Sequence, residues 1–206
     1  MKVLVVEKPL GLSESPFLVR LMADSAILRT GDPLFLPDHL GRWVSELCPA
    51  VHVGRLGTNI PPKAARSFCD SVSAVHLLIP AEGNPALSGD LAGILDRSCA
   101  PGRQTALDDI CGDNDASEIS LEARVDLLPR RNTPLEATAT PLAAGSSAMP
   151  LSAISEAVVF LSKYATLKTG DIIVFKDFAI PLGETRAETL VSARVEGREA
   201  LSLRIK

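Results

Sequence analysis

The sequence predicts a β-rich α+β protein with an aliphatic core. Hydrophobic residues occupy 46% of its 206 positions, yet there is only one tryptophan and one tyrosine, so valine, leucine, isoleucine and alanine must fill the interior. Short apolar segments with strand-like alternation outnumber the segments with helical spacing, and turn residues separate them. Many short strands with few helices are typical of the α+β class. At this length we expect a single domain over residues 1–206.

The first part of the chain predicts short strands and turns. Residues 1–6 are an apolar run that ends at turn residues, which predicts a buried strand. Residues 17–28 fit either a helix or a strand, and their pattern does not choose between the two. Gly31-Asp32-Pro33 marks a turn ahead of another short strand.

Two longer strands flank a helix in the next part. Residues 43–53 alternate as a strand does and run into a glycine-containing turn. A helix is expected to begin near Pro61 or Pro62, because a proline in the first turn lacks only an N–H that would be unpaired there anyway. The helix should end near Asp70, ahead of a strand over residues 71–79.

The middle of the chain gives weaker patterns. Residues 84–120 are rich in Gly, Asp, Ser and Pro, which predicts a divergent, loop-rich insert with one short helix over residues 90–97. Residues 119–128 alternate and predict a strand. Residues 132–150 contain too many prolines for regular structure and predict an edge strand or a loop.

The C-terminal part predicts a helix and then three strands. Residues 151–167 have helical spacing, with Ser152 or Ser155 as the N-cap. The expected core positions of this helix are Ile154, Ala157, Val158, Leu161 and Ala165. A turn and a buried strand follow over residues 168–175, and residues 188–206 predict a hairpin that turns at Glu196-Gly197-Arg198.

Charge and cysteine content narrow the classes of function. The net charge is −4 and Arg130-Arg131 is the only adjacent basic pair, which argues against nucleic-acid binding. The four cysteines have no Cys-x-x-Cys spacing. The start is too short and too soon charged for a signal peptide, and no apolar run approaches the ~20 residues that a membrane span needs. We therefore expect a cytoplasmic protein with reduced thiols and no membrane partner.

Four segments, in order along the chain, resemble the fumarylacetoacetate hydrolase family. They are "DSAILRTGDPLFLPD" (24–38), "VGRLGTNIPPKAARSFCDSV" (53–72), "ISEAVVFLSKYATLKTGDII" (154–173) and "VEGREALSLRIK" (195–206). The resemblance implies the C-terminal-domain-like fold of that family, a mixed β-roll or barrel with a few short helices. It also implies a homodimer.

The resemblance implies a divalent-metal chemistry. Members cleave, decarboxylate or isomerise 2-oxo and 1,3-dicarbonyl acids, and Mg²⁺ or Mn²⁺ stabilises the enolate that develops. The family supplies three carboxylates as oxygen ligands: a Glu-x-Glu pair on one strand and an Asp on a later strand.

Most of that site is replaced in this chain. Glu46 matches the first metal-binding glutamate, whereas Cys48 stands at the second glutamate and Leu77 at the aspartate. The Thr-Gly-Thr-Pro of the family is replaced within residues 174–181, and the segment with the catalytic histidine has no counterpart. Residues 84–120, where the family's active-site lysine belongs, contain no lysine.

Other arrangements of the same residues remain open at this stage. Cys48 and His52, with His76 as a third ligand, have the donor types of a Zn²⁺ site, but four positions along a strand span about 13 Å. A cysteine nucleophile at Cys48, Cys69 or Cys111 has no local signature to support it.

These observations lead to two functional hypotheses. The first is a degenerate member of the family without metal-dependent catalysis and without a cofactor, in which Glu46 is the remnant of the metal site. It would act as a binding or scaffolding subunit, as a homodimer or with a catalytic paralogue, and a small organic acid is a candidate ligand. The alternative is an active hydrolase, decarboxylase or isomerase with a rearranged Mg²⁺ or Mn²⁺ site.

Overall fold

The computed structural model describes residues 1–9, 15–37, 41–82, 93–111, 117–128 and 140–206. Their strands are β1 (Val3–Glu7), β2 (Leu18–Met22), β3 (Trp43–Val53), β4 (Cys69–Pro80), β5 (Cys99–Pro101), β6 (Thr105–Ala106), β7 (Glu118–Leu127), β8 (Thr140–Pro150), β9 (Ile172–Phe175), β10 (Ile180–Glu184), β11 (Thr189–Val195) and β12 (Arg198–Ile205). The α-helices are α1 (Pro62–Ala65), α2 (Leu107–Cys111) and α3 (Leu151–Tyr164), with 3-10 turns at Asp24–Ala26, Arg66–Phe68 and Lys176–Phe178.

The strands form two open sheets. The larger has eight strands in the order β2-β1-β9-β3-β4-β5, with β10 paired to β3 and β6 paired to β4. The smaller has four strands in the order β12-β11-β7-β8. The β1–β9 pair is parallel and the other pairs of named strands are antiparallel. The predicted β-rich α+β class with few short helices is confirmed, and over the described residues neither sheet closes into a barrel.

The main core lies where the two sheets and α3 meet. The inward positions of β3, β4, β7, β11 and β12 join one hydrophobic cluster with the buried side of α3. Four of the five core positions predicted for α3 are buried, and Ala165 follows the helix and is half-buried. The predicted serine N-cap is wrong: α3 begins directly after the extended residue Pro150 without a side-chain cap, and the Leu151 N–H donates to the Ser117 carbonyl.

In three segments the described residues decide an open alternative or differ from the expectation. β2 is a strand, which settles the choice left open for residues 17–28. Residues 140–150 form an 11-residue strand, so the expectation of no regular structure there is wrong, whereas the expected edge position is correct. The prolines are tolerated because they stand near the strand's ends. Of the short helix predicted over residues 90–97, the described residues 93–97 contain no α-helix, and residues 90–92 lie outside the described part.

The C-terminal hairpin confirms its predicted turn. β11 and β12 are joined by Glu196 and Gly197, which have φ angles of 50° and 72°. Two successive positive φ values produce the mirror-image turn whose twist matches that of paired strands.

Asp171 joins the start of β9 to the N-terminus. Its buried carboxylate accepts hydrogen bonds from the Lys2 N–H at 2.7 Å and the Lys168 N–H at 2.9 Å, and lies 3.0 Å from the Lys2 ammonium. Burial alone would raise the pKa of Asp171, but these hydrogen bonds and the Lys2 charge outweigh it and lower the pKa. The Gly-Asp of this turn therefore has a structural role in this chain.

We expect Asp171→Asn to reduce the free energy of unfolding by about 2–4 kcal/mol, because buried donors lose a charged acceptor. Urea unfolding at neutral pH measures the change. Asp177→Asn is the matched control, since Asp177 also accepts a backbone N–H, from Lys8, but at an exposed site. If Asp177→Asn reduced the free energy of unfolding as much as Asp171→Asn does, burial of the Asp171 carboxylate would not be the cause of the loss.

Candidate functional site

The residues at the three expected metal-ligand positions lie on one face of the larger sheet. Glu46 and Cys48 are two positions apart on β3, so their side chains point to the same face. Leu77 on β4 stands directly opposite Glu46 in the antiparallel register, and Val75 stands opposite Cys48. The structure therefore brings Glu46, Cys48 and Leu77 together.

Glu46 is a half-buried carboxylate with incomplete hydrogen bonding. Its Oε2 atom is buried and has no hydrogen-bond partner among the described residues. Burial is the largest effect and raises the pKa of Glu46 above its usual range, and the negative charge of Glu7 raises it further. The positive charges of Lys176 and Arg20 lower the pKa but do not cancel the rise. The site thus disfavours the ionised carboxylate overall while placing two cations within electrostatic reach of it.

Two basic side chains from other elements offset the acidic ones. Lys176 comes from the 3-10 turn after β9, and its ammonium lies 3.5 Å from the Glu7 carboxylate of β1. Arg20 comes from β2, and its Nε atom is buried without a hydrogen-bond partner among the described residues. Glu46, Glu7, Lys176 and Arg20 together carry two negative and two positive formal charges. The charges at the site therefore balance without a bound ion.

Most of the side chains next to Glu46 on this face are apolar. Leu77 is only 5% exposed, and Cys48 and Cys99 are fully buried. They belong to one apolar cluster, whose buried members are Val3, Val5, Met22, Ala26, Cys48, Ala50, Val75, Leu77, Cys99, Ile172 and Val174. Burial, followed by the charge of Glu46, raises the pKa of Cys48 well above its usual value. Cys48 is therefore a neutral thiol at neutral pH, a poor nucleophile and a poor ligand.

The two histidines considered as zinc ligands lie on opposite faces of the sheet. His52 shares the face of Cys48, and its Nε2 atom lies 2.8 Å from Ser73 Oγ. His76 neighbours Leu77 on β4 and so points to the other face, where its Nε2 atom lies 2.8 Å from Ser45 Oγ. The alternative of a zinc site formed by Cys48, His52 and His76 is therefore contradicted by the opposite faces of the two histidines.

Within the described ranges, no group of three or more His, Cys, Asp or Glu side chains is placed to hold a metal ion. The three cysteines whose side chains are described, Cys48, Cys69 and Cys99, are free and buried. No helix of the described residues is long and apolar enough to cross a membrane.

Lys176 and Arg20 belong to this site although no sequence motif points to them. Lys176 lies in the segment that replaces Thr-Gly-Thr-Pro, so the sequence indicates the loss of that motif but not the position of the new cation. Arg20 could have been placed on the site face only if residues 17–28 had been recognised as a strand. The sequence offers one weak signal for both residues, which is a basic residue within residues 17–28 and another within residues 174–181.

Comparison with solved structures gives many matches over nearly the whole chain. A 5-carboxymethyl-2-hydroxymuconate delta-isomerase from Mycobacterium smegmatis matches 99% of this chain and 78% of its own, at 21% identity and a TM-score of 0.71. A fumarylpyruvate hydrolase from Pseudomonas aeruginosa, solved with Mn²⁺ and pyruvate, matches 100% of this chain and 89% of its own, at 14% identity and a TM-score of 0.69. A 2-hydroxyhepta-2,4-diene-1,7-dioate isomerase from Mycobacterium marinum matches 99% of this chain and 73% of its own, at 16% identity and a TM-score of 0.69.

The sequence comparisons give no such match. No protein-family model matches the chain, and no curated protein is significantly similar to it. Structural similarity at these low identities shows the fold only, and the activity has to be inferred from the residues of the site. The three structures named above are two isomerases and a hydrolase, and a further match is described as a putative fumarylacetoacetate hydrolase family protein. The chain has the fold of the fumarylacetoacetate hydrolase family.

Proposed function

We propose that this chain is a degenerate protein of the fumarylacetoacetate hydrolase fold that acts as a binding or scaffolding subunit without metal-dependent catalysis. One observation carries the proposal. The buried, aliphatic Leu77 stands directly opposite Glu46, at the position where the family resemblance calls for a carboxylate ligand. An aliphatic side chain offers a cation no lone pair, and it excludes the water that could serve instead.

The remaining donors do not suit a hard divalent cation. Mg²⁺ needs near-octahedral oxygen coordination and Mn²⁺ also favours oxygen donors, whereas this face offers one half-buried carboxylate and a neutral thiol. The Glu46 carboxylate already lies within the electrostatic reach of Lys176 and Arg20. A bound divalent ion would be repelled by both of these side chains. These residues therefore do not support a mechanism in which a divalent ion polarises a 2-oxo acid.

A subunit of this kind would work through its surfaces. We propose a homodimer, with a catalytic paralogue as a second candidate partner. The cations Lys176 and Arg20 beside the aliphatic cluster make a small organic acid, bound without metal, the candidate ligand. These assignments rest on the family resemblance and on the charges at the site.

Two observations favour the alternative of an active enzyme with a rearranged metal site. The Glu46 Oε2 atom is buried without a partner among the described residues, and Glu7 lies within electrostatic reach of Glu46. Two carboxylates from β1 and β3 would offer oxygen donors if Lys176 moved away. The matched fumarylpyruvate hydrolase holds Mn²⁺ and pyruvate, which supplies the probes for a test.

We expect Mg²⁺ or Mn²⁺ at millimolar concentration to leave the melting temperature of the wild-type chain unchanged. Only an ion that binds the native state raises its stability, by RT ln(1 + [L]/Kd). Glu46→Gln is the informative variant, and Glu122→Gln on the exposed face of β7 is the matched control. A metal-dependent rise that Glu46→Gln abolishes and Glu122→Gln retains would overturn the proposal in favour of the rearranged site.

Activity gives a second, independent readout. With Mn²⁺ present, turnover of fumarylpyruvate, other acylpyruvates or oxaloacetate should not exceed the rate in buffer. Turnover that Glu46→Gln removes would establish the alternative function. For the metal-free ligand, pyruvate and related acids should be screened for stabilisation without added metal.

A further inference from the structure

Five exposed basic side chains lie on neighbouring segments around the C-terminal end of α3. These segments are the turn after β3, α1 with the 3-10 turn that follows it, the last residues of α3 and the turn before β9. The five residues form the basic patch: Arg55, Lys63, Arg66, Lys163 and Lys168. Within the described part of the chain, none of their side chains forms a hydrogen bond or an ion pair.

Contacts between backbone segments hold the basic patch together. Gly57 in the turn after β3 and Leu167 in the turn before β9 exchange N–H···O hydrogen bonds of 2.9 Å. The Gly54 N–H donates to the Phe68 carbonyl at 2.8 Å, which joins the turn after β3 to the 3-10 turn that follows α1. Helix α1 in turn packs on α3. The fold therefore brings the backbone positions of the five cations to one region of the surface.

The two most exposed large hydrophobic side chains of the described residues lie beside the basic patch. Tyr164 is 78% exposed and Leu56 is 69% exposed. Leu56 directly precedes Gly57, and Tyr164 directly follows Lys163. The centroid of the Tyr164 ring lies 5.1 Å from that of Phe160, so part of the ring is packed while most of it faces solvent. Apolar area is thus displayed next to positive charge.

The carboxylates next to the basic patch in the chain leave it positively charged. Asp171 is already engaged by the Lys2 ammonium at 3.0 Å and by two backbone N–H groups. Asp70 is exposed, accepts a hydrogen bond from the Ser71 hydroxyl at 2.8 Å and forms no ion pair among the described residues. The whole chain has a net charge of −4, so the patch is a local departure from an acidic chain. Such an asymmetry steers the approach of an anionic partner.

Charge and apolar area together indicate the class of partner. A nucleic acid could use the cations, but its phosphates offer nothing to an exposed leucine. An anionic membrane is an extended surface that would also approach the acidic remainder of the chain and be repelled by it. A short acidic protein segment meets the basic patch alone, and its own apolar side chains can cover Leu56 and Tyr164. Arginine suits such a segment, because its planar guanidinium binds a carboxylate through two parallel hydrogen bonds.

We propose that the basic patch, with Leu56 and Tyr164, is the docking surface for an acidic segment of a partner protein in which carboxylates alternate with apolar side chains. The carboxylates pair with the cations of the patch, and the apolar side chains cover Leu56 and Tyr164. This docking surface rests on the proposed function as a binding subunit, and it uses none of the residues at the expected metal position.

Fluorescence anisotropy with a labelled synthetic peptide tests this surface. The probe is a short peptide in which pairs of glutamates alternate with leucines, and two control peptides carry serine for leucine or lysine for glutamate. We expect the wild-type chain to bind the probe, more weakly as the ionic strength rises, and to leave the lysine peptide unbound.

Substitutions in the basic patch should weaken binding of the probe. Lys63→Glu and, separately, Arg66→Glu should each cost about tenfold in affinity, because attraction becomes repulsion. Leu56→Ser should cost about fivefold through lost apolar contact. Arg29→Glu is the matched control, since Arg29 is also exposed without an ion pair among the described residues but lies outside the patch. Melting temperatures close to that of the wild-type chain establish that each variant is folded.

The outcomes separate this docking surface from its competitors. Affinity that falls in Lys63→Glu, Arg66→Glu and Leu56→Ser, and is retained in Arg29→Glu, supports it. A wild-type chain that does not bind the probe overturns it, and so do unchanged affinities in both charge reversals.

The control ligands test the chemistry of the partner. Equal binding of the serine peptide and of the probe would show a general attraction for anions and would overturn the proposed partner. Tighter binding to a duplex oligonucleotide, or to vesicles of phosphatidylcholine and phosphatidylserine, would overturn it in favour of a nucleic acid or a membrane. None of these results bears on metal binding at Glu46, which the metal-dependent melting temperature measures separately.

Discussion

Replacing Leu77 with aspartate should reduce the free energy of unfolding by about 3–5 kcal/mol. The substitution restores the type of residue that the family resemblance calls for, but in this chain it places a charge in an aliphatic cluster. Leu77 is 5% exposed, so an ionised carboxylate there would lose most of its hydration. Glu46 stands directly opposite and would repel it. A loss of this size is a large part of the stability of a typical domain.

The Leu77→Asn variant separates charge from shape. Asparagine has nearly the same size as aspartate and also removes the leucine methyl groups, so the difference between the two variants reports the buried charge. Urea unfolding at neutral pH, with and without Mn²⁺, measures both. We expect Leu77→Asp to be the less stable of the two without metal. Equal stabilities would show that position 77 is open to solvent and would remove the main support for the proposed loss of function.

Adding Cys48→Glu to Leu77→Asp would place three carboxylates on one face of the sheet. Their mutual repulsion makes this double variant the one most sensitive to a divalent cation. A rise in melting temperature with Mn²⁺ in the double variant, and none in the wild-type chain, would show that the fold still has the geometry of a metal site. It would also show that the identity of the side chains, and not the backbone, decides whether metal binds.

Much of the fold could be predicted because local patterns agree with the tertiary structure. The strand β3, the helix α3 and the hairpin of β11 and β12 have clear periodicity and clear turn residues, and all three are present. Proline content alone does not predict strand β8, because both of its prolines stand near its ends, where a strand tolerates them. Strand β2 was ambiguous because a five-residue apolar run fits either kind of element.

The site could be predicted only in part, because it combines local and long-range relations. The two-residue spacing of Glu46 and Cys48 fixes their common face, and this follows from the strand alone. The position of Leu77 opposite Glu46 depends on the register between β3 and β4, which no local pattern specifies. The contact between Lys176 and Glu7 joins residues 169 positions apart and depends on the parallel pairing of β1 with β9. Sequence periodicity contains no information about a pairing of that kind.

Lowering the pH from 7 to 4 should remove about 3 kcal/mol of stability through His76. This ring is fully buried, its Nδ1 atom has no hydrogen-bond partner among the described residues, and burial lowers the pKa of His76 from 6.5 to about 4. As the pH falls below about 6.5, the imidazole is protonated in the unfolded chain but stays neutral in the native state. Protonation therefore stabilises the unfolded chain relative to the native state. The stabilising contribution is complete above that pH and is lost once the pH reaches about 4. At 1.36 kcal/mol per pKa unit the loss is about 3 kcal/mol.

His76→Leu is the variant that isolates this effect. Leucine suits the apolar surroundings and cannot be protonated, and Ser45 Oγ keeps its contact with Thr185 Oγ1 at 2.8 Å. Urea unfolding at pH 7 and pH 4.5 should show a smaller difference in the variant than in the wild-type chain. His52 leaves a residual dependence of the same sign, since burial also lowers its pKa while Asp70 opposes that shift. Glu46 opposes both, because its raised pKa makes the native state bind a proton first.

An unchanged difference between the two pH values in His76→Leu would mean that the buried ring is not the source of acid sensitivity. The network of His76, Ser45 and Thr185 would then be open to water.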